Sequence, residues 1–334
     1  MTALPLLTDD PRASSSALLE VRDLSVRIGH HDVLSGVDLS VGAGRCLGLV
    51  GETGSGKTLT CRALIGLLPR IGAEVTHGSI TFDGRDLVPF RQRAWHRLRG
   101  REIAFVPQSS LTGLDPVMTV GRQLAETIRL LDPEAEVRRR AVELLDMVEM
   151  PNPQQTLTRY PHQLSGGMRQ RAMIALAIVG RPKLLLADEP TTALDVTVQR
   201  AILELLTTLR RATHMSLIIV THDLGVVETV TDDVAIMYAG STIETGATKD
   251  VLSRPQHPYT RALLDARPSA RAEGARLTTI PGQPPGPGEW ADGCRYAPRC
   301  PFVQDRCHEH VPQLTAIPHG HPAACLRQEE LVHD

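Results

Sequence analysis

The strongest constraint on this chain's fold is one octapeptide. Residues 51–58 read Gly-Glu-Thr-Gly-Ser-Gly-Lys-Thr, the spacing G-x-x-x-x-G-K-[ST] without a departure. The run before it, Cys46–Val50, is short and apolar, as a buried parallel strand is. The stretch after it, Thr58–Leu68, has helical spacing and stops at Pro69. Strand, glycine-rich turn and helix in that order make a phosphate cradle. Gly51, Gly54 and Gly56, with Ser55 among them, let backbone N–H groups turn inward, and the helix N-terminus adds positive potential. In such a loop Lys57 reaches the β- and γ-phosphates, and Thr58 offers its hydroxyl to Mg2+.

The rest of the chain alternates in the same way. Leu18–Val26 and Val33–Val41 read as strands, and Ile103–Val106, Leu184–Ala187 and Leu217–Val220 are further short apolar runs separated by helical stretches. That pattern predicts an α/β fold with a mainly parallel core sheet. Residues 119–149 and Gln170–Val179 are helical in pattern, broken by Pro151 and Pro153. They form a helical lobe over about 109–180, inserted into the α/β core. After Ala266 the character changes, and 281–288 read Pro-Gly-Gln-Pro-Pro-Gly-Pro-Gly, an irregular linker. The expected organisation is a disordered tail at 1–16, a nucleotide domain at 17–265 and a C-terminal extension at 266–334.

The Leu184–Ala187 run ends in Asp188-Glu189-Pro190. An Asp at this point in P-loop enzymes holds Mg2+, and Glu189 beside it is the candidate general base for an attacking water. An Asp-Glu pair alone is more often surface. The apolar strand before it and Pro190 after it favour the chemical reading.

Composition excludes several classes. Lys and Arg total 36 against 38 Asp and Glu, a net charge of −2, and aromatics are 3% of residues. Neither a polycation nor a stacking platform for nucleic acid is present, and no nucleic-acid partner is expected. Arg91, Arg93, Arg97, Arg99 and Arg101 read as a solvated helix face. No apolar run approaches the ~18 residues of a spanning helix. Met1–Glu20 lacks a basic region before an apolar stretch, so no signal peptide is expected. Membrane association would have to come through a partner.

Four of six cysteines, Cys294, Cys300, Cys307 and Cys325, lie near the C-terminus with spacing C-x5-C-x6-C-x17-C. Zinc sites have tighter pairs, and the bacterial ferredoxin run is tighter still, so the spacing names no metal. Four thiolates can hold Zn2+ or a [4Fe–4S] cluster, and a loop-rich segment of this size commonly needs a staple. His308, His310, His319 and His321 nearby read as solvated.

Further short motifs make the chain resemble an ATP-binding cassette (ABC) ATPase. Leu164-Ser165-Gly166-Gly167-Met168-Arg169-Gln170 is similar to that family's signature loop. Gln108 after Phe105-Val106-Pro107 matches the Q-loop, Ala193-Leu194-Asp195 the D-loop, and Thr221-His222-Asp223 the switch histidine. The resemblance implies a RecA-like core sheet, an antiparallel β part and a helical lobe. It also implies that two cassettes close on shared ATP. Ser165, Gly166 and Gly167 would meet the γ-phosphate held by the opposite domain, with Asp195 at the interface. Gln108 would sense Mg2+ and the lytic water, and His222 would touch the γ-phosphate on its own side. The family usually stacks an aromatic on adenine after the first strand; here that position is Ile28, with His30 or His31 as substitutes.

The resemblance narrows toward importers. The segment from Gln108 to Pro116 is similar to the Q-loop extension of peptide and nickel importers, with Asp115 where Asn is usual. The run from His257 to Leu264, then Ile280-Pro281-Gly282 and Cys294-Arg295-Tyr296-Ala297-Pro298-Arg299-Cys300-Pro301, resembles the C-terminal extension of dipeptide and oligopeptide importer ATPases. There an iron–sulfur cluster is the implied ligand, with zinc as the alternative. The implied partners are two transmembrane permease subunits, a second ABC ATPase (identical or related) and an extracytoplasmic solute-binding protein. The implied place is the cytoplasmic face of the inner membrane. A nickel or other small-solute importer is one alternative. A soluble ABC ATPase acting on ribosome or DNA is another, which the single cassette and the lack of a sustained heptad disfavour.

Overall fold

The computed structural model describes residues 17–109, 113–267, 279–318 and 320–331; the proposed tail at 1–16 lies outside them. Ten strands follow in chain order among these residues: β1 (Leu19–Ile28), β2 (His31–Val41), β3 (Cys46–Val50), β4 (Ala73–Phe82), β5 (Arg85–Asp86), β6 (Ile103–Val106), β7 (Leu184–Asp188), β8 (Ser216–Thr221), β9 (Asp233–Tyr238) and β10 (Ser241–Ala247). One sheet is antiparallel, in order β2-β1-β4-β5; the other has order β10-β9-β3-β8-β7-β6. In the second sheet β9, β3, β8, β7 and β6 are parallel, and β10 returns antiparallel on β9.

The core strands read as continuous apolar runs because both faces are covered. Along β7, Leu185 and Ala187 face a cluster shared with the helical lobe, while Leu184 and Leu186 face one shared with the antiparallel sheet. In β8 the same alternation separates Leu217 and Ile219 from Ile218 and Val220. Sequence periodicity missed β4, β9 and β10. β4 carries Glu74, Thr76, His77 and Ser79, so it has no clean apolar face to announce it.

The helical stretch expected over 119–149 is two helices, Val120–Leu131 and Val137–Met147. Asp132-Pro133 ends the first. Glu136 starts the second by accepting from the N–H groups of Arg138 and Arg139 at 3.1 and 2.7 Å. Their buried faces, including Leu124, Ile128, Leu144 and Leu145, pack with Ile174 of helix Gly166–Ala177. The helix after the glycine-rich turn is shorter than expected, Lys57–Leu64. Gly66 breaks it with φ +64°, and a Cβ there would lie 2.2 Å from the Trp95 ring.

One arginine of the proposed solvated face, Arg99, is half-buried, and Arg101 is exposed yet hydrogen-bonded to backbone. Arg99 donates to the carbonyls of Ile65 and Gly66 at 2.6 Å, and Arg101 reaches those of Leu130 and Leu131. Both satisfy carbonyls left open where helical backbone stops. Arg91, Arg93 and Arg97 are exposed.

After helix Pro258–Asp265 the chain returns against the β9–β10 hairpin. Ala324 N–H donates to Ile243 O at 2.7 Å, and Thr245 N–H to Pro322 O at 3.0 Å. A third core cluster joins them, built on Tyr238, Tyr259 and Tyr296 with ring centroids 4.7–5.4 Å apart.

Candidate functional site

The parallel strands bring the singled-out residues to one edge. Val50 is level with Thr221, Asp188 with Val220, and Val106 with Ala187. Gly51, Glu189, His222 and Gln108 each follow a strand by one or two residues. Four separate sequence segments therefore open at the carboxyl ends of the strands, where ligands bind in open α/β sheets.

Two of the loop glycines are confined: a Cβ at Gly51 would lie 2.2 Å from Met237 O, whereas one at Gly54 would meet open space. Gly56 has φ +103°, and a Cβ there would stand 2.5 Å from Leu34 Cδ2. Lys57 is buried, with Nζ donating to Gly51 O at 2.7 Å and Glu52 O at 2.8 Å. Burial pulls the ammonium below its ordinary range, opposed by Glu189, Asp188 and Glu52.

Asp188 and Glu189 are neighbours in opposite settings. Asp188 is buried and accepts from Thr58 Oγ1 at 3.2 Å. Burial pushes its carboxyl above the usual range, with Glu189 adding to the rise and Thr58 and Lys57 opposing it. Glu189 turns out of the strand with φ +45°, its N–H held by Val220 O at 3.0 Å. Its Oε2 accepts from Gln108 Nε2 and from Thr192 Oγ1, each at 2.8 Å, and Oε1 lies 3.5 Å from His222 Nδ1. Burial acts to raise it, but the Thr192 hydroxyl, His222 and Lys57 outweigh that and hold it below the ordinary glutamate range. Thr192 was not anticipated from sequence. Its signal is its place three residues after Glu189, across the turn at Pro190.

Ser165 is the N-cap of helix Gly166–Ala177, and its Oγ accepts from Met168 N–H at 3.3 Å. Asp195 caps helix Val196–Thr213 through Val198 N–H at 3.0 Å. These two helix starts press together. A Cβ on Gly166 would lie 3.0 Å from Leu194 Cδ2, and one on Gly167 would lie 2.7 Å from Val198 Cγ1. The tighter of the two, Gly167, thus leaves room for Val198 where the signature and D-loop segments meet. Ile28, at the end of β1, is exposed.

Cys294, Cys300, Cys307 and Cys325 line one small cavity with Tyr296, Phe302 and Arg327. Burial raises the Cys325 thiol to about 11, with Cys294, Cys300 and Cys307 adding to the rise. The tail therefore gathers its four thiols. Among the described residues no group of three or more His, Cys, Asp or Glu side chains is arranged to coordinate a metal. His321, expected to be solvated, is instead largely buried, with Nε2 2.6 Å from the buried Glu244. That pair fastens the extension to β10. His319 lies outside the described residues.

Three residues near the loop escaped sequence reasoning. Glu52, the loop's second residue, accepts both nitrogens of Arg299 at 2.7 and 3.1 Å, and its N–H donates to Tyr259 Oη at 3.0 Å. Nothing local signals a pairing across 247 positions.

Comparison with known proteins agrees with this geometry. Residues 34–192 match the family model described as ABC transporter, and 243–307 match that described as Oligopeptide/dipeptide transporter, C-terminal region. The probable peptide ABC transporter ATP-binding protein y4tR of Sinorhizobium fredii is 43% identical over 98% of this chain and 99% of its own length. The oligopeptide transport ATP-binding protein OppD of Salmonella typhimurium is 44% identical over 95% of each chain. AppD of Bacillus subtilis, another oligopeptide transport ATP-binding protein, is 41% identical over 94% of this chain and 98% of its own. Among solved structures, cbiO1 of Clostridium perfringens superposes with a TM-score of 0.63 at 26% identity, over 71% of this chain and 91% of that one. The cassette MJ0796, as a dimer bound to ADP and Pi, gives 0.60 at 25%, over 69% and 98%. This chain belongs to the ABC transporter ATP-binding proteins, in their oligopeptide/dipeptide branch.

Proposed function

We propose that this chain is the ATP-hydrolysing subunit of a membrane importer for di- or oligopeptides. The observation that carries it is one chain holding a complete cassette edge and, packed on the same edge, the oligopeptide-type C-terminal region. Relatives named for peptide or oligopeptide transport match it over almost its whole length.

The residues divide the work as their surroundings suit them. Lys57 and the loop amides hold the β- and γ-phosphates of ATP. Thr58 and Asp188, already hydrogen-bonded, would hold Mg2+ with Gln108, and the ion would supply positive charge against the phosphates. Glu189 is ionised at neutral pH and takes the proton of the attacking water. Gln108 and His222 orient that water and the γ-phosphate, and Thr192 fixes the carboxylate. Ser165, Gly166 and Gly167 present a helix N-terminus to nucleotide bound by a second cassette, with Asp195 at the joint. The dimer reported for MJ0796 supports that pairing.

The other partners are two permease subunits and an extracytoplasmic solute-binding protein. Among the described residues no helix is long and apolar enough to cross a membrane, so attachment runs through the permeases at the inner face of the membrane. A cleft of about 610 Å3 between core and lobe, lined by Arg99, Pro107, Asp115, Gln123, Leu131 and Met173, opens beside Gln108. A permease segment seated there couples lobe movement to the nucleotide. Cys294, Cys300, Cys307 and Cys325 are four thiols that, once deprotonated, would hold a [4Fe–4S] cluster or Zn2+, and such a group would staple this loop-rich segment. The gathering of the four in one cavity supports that. The boundaries, with the cassette at 17–265, its lobe at about 109–180 and the extension beyond, are part of the same proposal.

The test is purification from native cells in mild detergent. Co-elution of two multi-span permeases and a peptide-loaded binding protein is expected. Recovery of ribosomal or DNA-repair proteins with no membrane partner would overturn the transport assignment.

A further inference from the structure

The segment bearing Cys294 and Cys300 reaches the phosphate loop by two arms. Arg299, directly before Cys300, sends both terminal nitrogens to Glu52 at 2.7 and 3.1 Å. Its guanidinium is almost fully buried, and Nε donates to Pro281 O at 2.7 Å while a terminal nitrogen lies 3.3 Å from Tyr238 Oη. A planar fork held at all of these points fixes its partner in orientation as well as distance. Arg295, directly after Cys294, donates to Ala239 O and Ser241 Oγ at 2.6 and 2.5 Å and lies 3.6 Å from the centre of the Trp290 ring. Between those two residues, Gly240 N–H donates to Ser55 O at 3.0 Å. A Cβ at Gly240 would lie 2.7 Å from Val33 O and 2.8 Å from Trp290, so this turn is closely packed.

The first arm ends on a loop residue, and the second on the two residues flanking Gly240, whose N–H holds Ser55 O. Glu52 O is one of the two carbonyls that hold Lys57 Nζ. Ser55 lies between the loop glycines. Within the extension, Cys294 N–H donates to Cys307 O at 2.8 Å, so the same short segment is tied to a third cysteine.

We propose that Arg299 is a positioning residue for the phosphate loop, and that the Cys294–Cys300 segment thereby ties nucleotide affinity to the integrity of the four-thiol site. This rests on residues 51–58 being the nucleotide loop. It concerns Glu52, Arg299 and Arg295, and holds whichever group the thiols take.

The experiment is equilibrium titration of the full chain with Mg-ATP, alongside Tm and steady-state hydrolysis. Arg299→Gln and Glu52→Gln are each expected to raise Kd about tenfold, within the range of ordinary coupling between sites. The double variant is expected to be no weaker than the weaker single one, because each change breaks the same pair. Arg299→Lys should recover part of the affinity, and kcat at saturating ATP should change much less than Kd. Cys300→Ala should also raise Kd, yet add little in the Arg299→Gln background. A lowered Tm with unchanged Kd in the single variants would make the pair a mere staple and overturn the proposal. Unchanged Kd in Cys300→Ala would overturn the link to the thiols. A wild-type chain that fails to bind Mg-ATP would overturn the nucleotide reading itself, and this inference with it.

Discussion

The side-chain amide of Gln108 donates to Oε2 of Glu189 at 2.8 Å, joining positions 81 residues apart. Gln108 lies where the core strand β6 gives way toward the lobe, and Glu189 is the proposed base. One hydrogen bond therefore connects the chemistry to the part of the molecule expected to move. Gln108→Ala should lower kcat by about a hundredfold, the scale of a misplaced reacting geometry, while the Kd for ATP changes little. Steady-state kinetics with a parallel binding titration separates the two. A weakened Kd with intact kcat would place Gln108 in ground-state binding instead.

Gly167 makes an inverted prediction. Replacing Gly by Ala in a helix ordinarily gains up to ~1 kcal/mol. Here the new methyl would lie 2.7 Å from Val198 Cγ1, and overpacking of this kind costs about 1–3 kcal/mol. Gly167→Ala should therefore lose stability in urea unfolding, and Val198→Ala in the same chain should restore much of it.

Ile28 should leave adenine recognition loose. An exposed aliphatic end of β1 shields a base but lacks the stacking that aromatics give, roughly 1–3 kcal/mol per base where measured. Comparable Kd values for ATP and GTP are expected. Strong selectivity for ATP would show that another group reads the base.

His257 sets a pH limit on helix Pro258–Asp265, which leads into the extension. It is buried, and its Nδ1 accepts from Tyr259 N–H at 3.0 Å as the cap of helix Pro258–Asp265. Burial lowers its pKa to about 4 from an ordinary 6.5. The unfolded chain therefore binds more protons between those values, so stability is full above about 6.5 and falls as pH drops toward 4. The loss amounts to roughly 3 kcal/mol at most. His257→Asn keeps a capping oxygen without the titration. Its Tm should decline less steeply than wild type from pH 6.5 to 4.5.

Much of this site is written locally. The octapeptide, the apolar run ending in Asp188-Glu189, and the signature at Ser165–Gly167 are each contiguous, and strand burial on both faces makes the core runs easy to find. What sequence did not disclose is non-local. β4 is half-polar along its length, Arg99 looks like surface charge until the carbonyls it meets are seen, and His321 looks solvated until Glu244 is placed beside it. Arg299 finds Glu52 only because the extension folds back over the hairpin β9–β10.

The most direct measurement is ATP turnover by Glu189→Gln, read together with nucleotide-dependent dimerisation. The amide keeps the shape of the carboxylate but cannot take the proton of water. Hydrolysis should fall to near background while Mg-ATP still binds and holds a stable dimer. Normal hydrolysis by this variant would contradict the assignment of Glu189 as base.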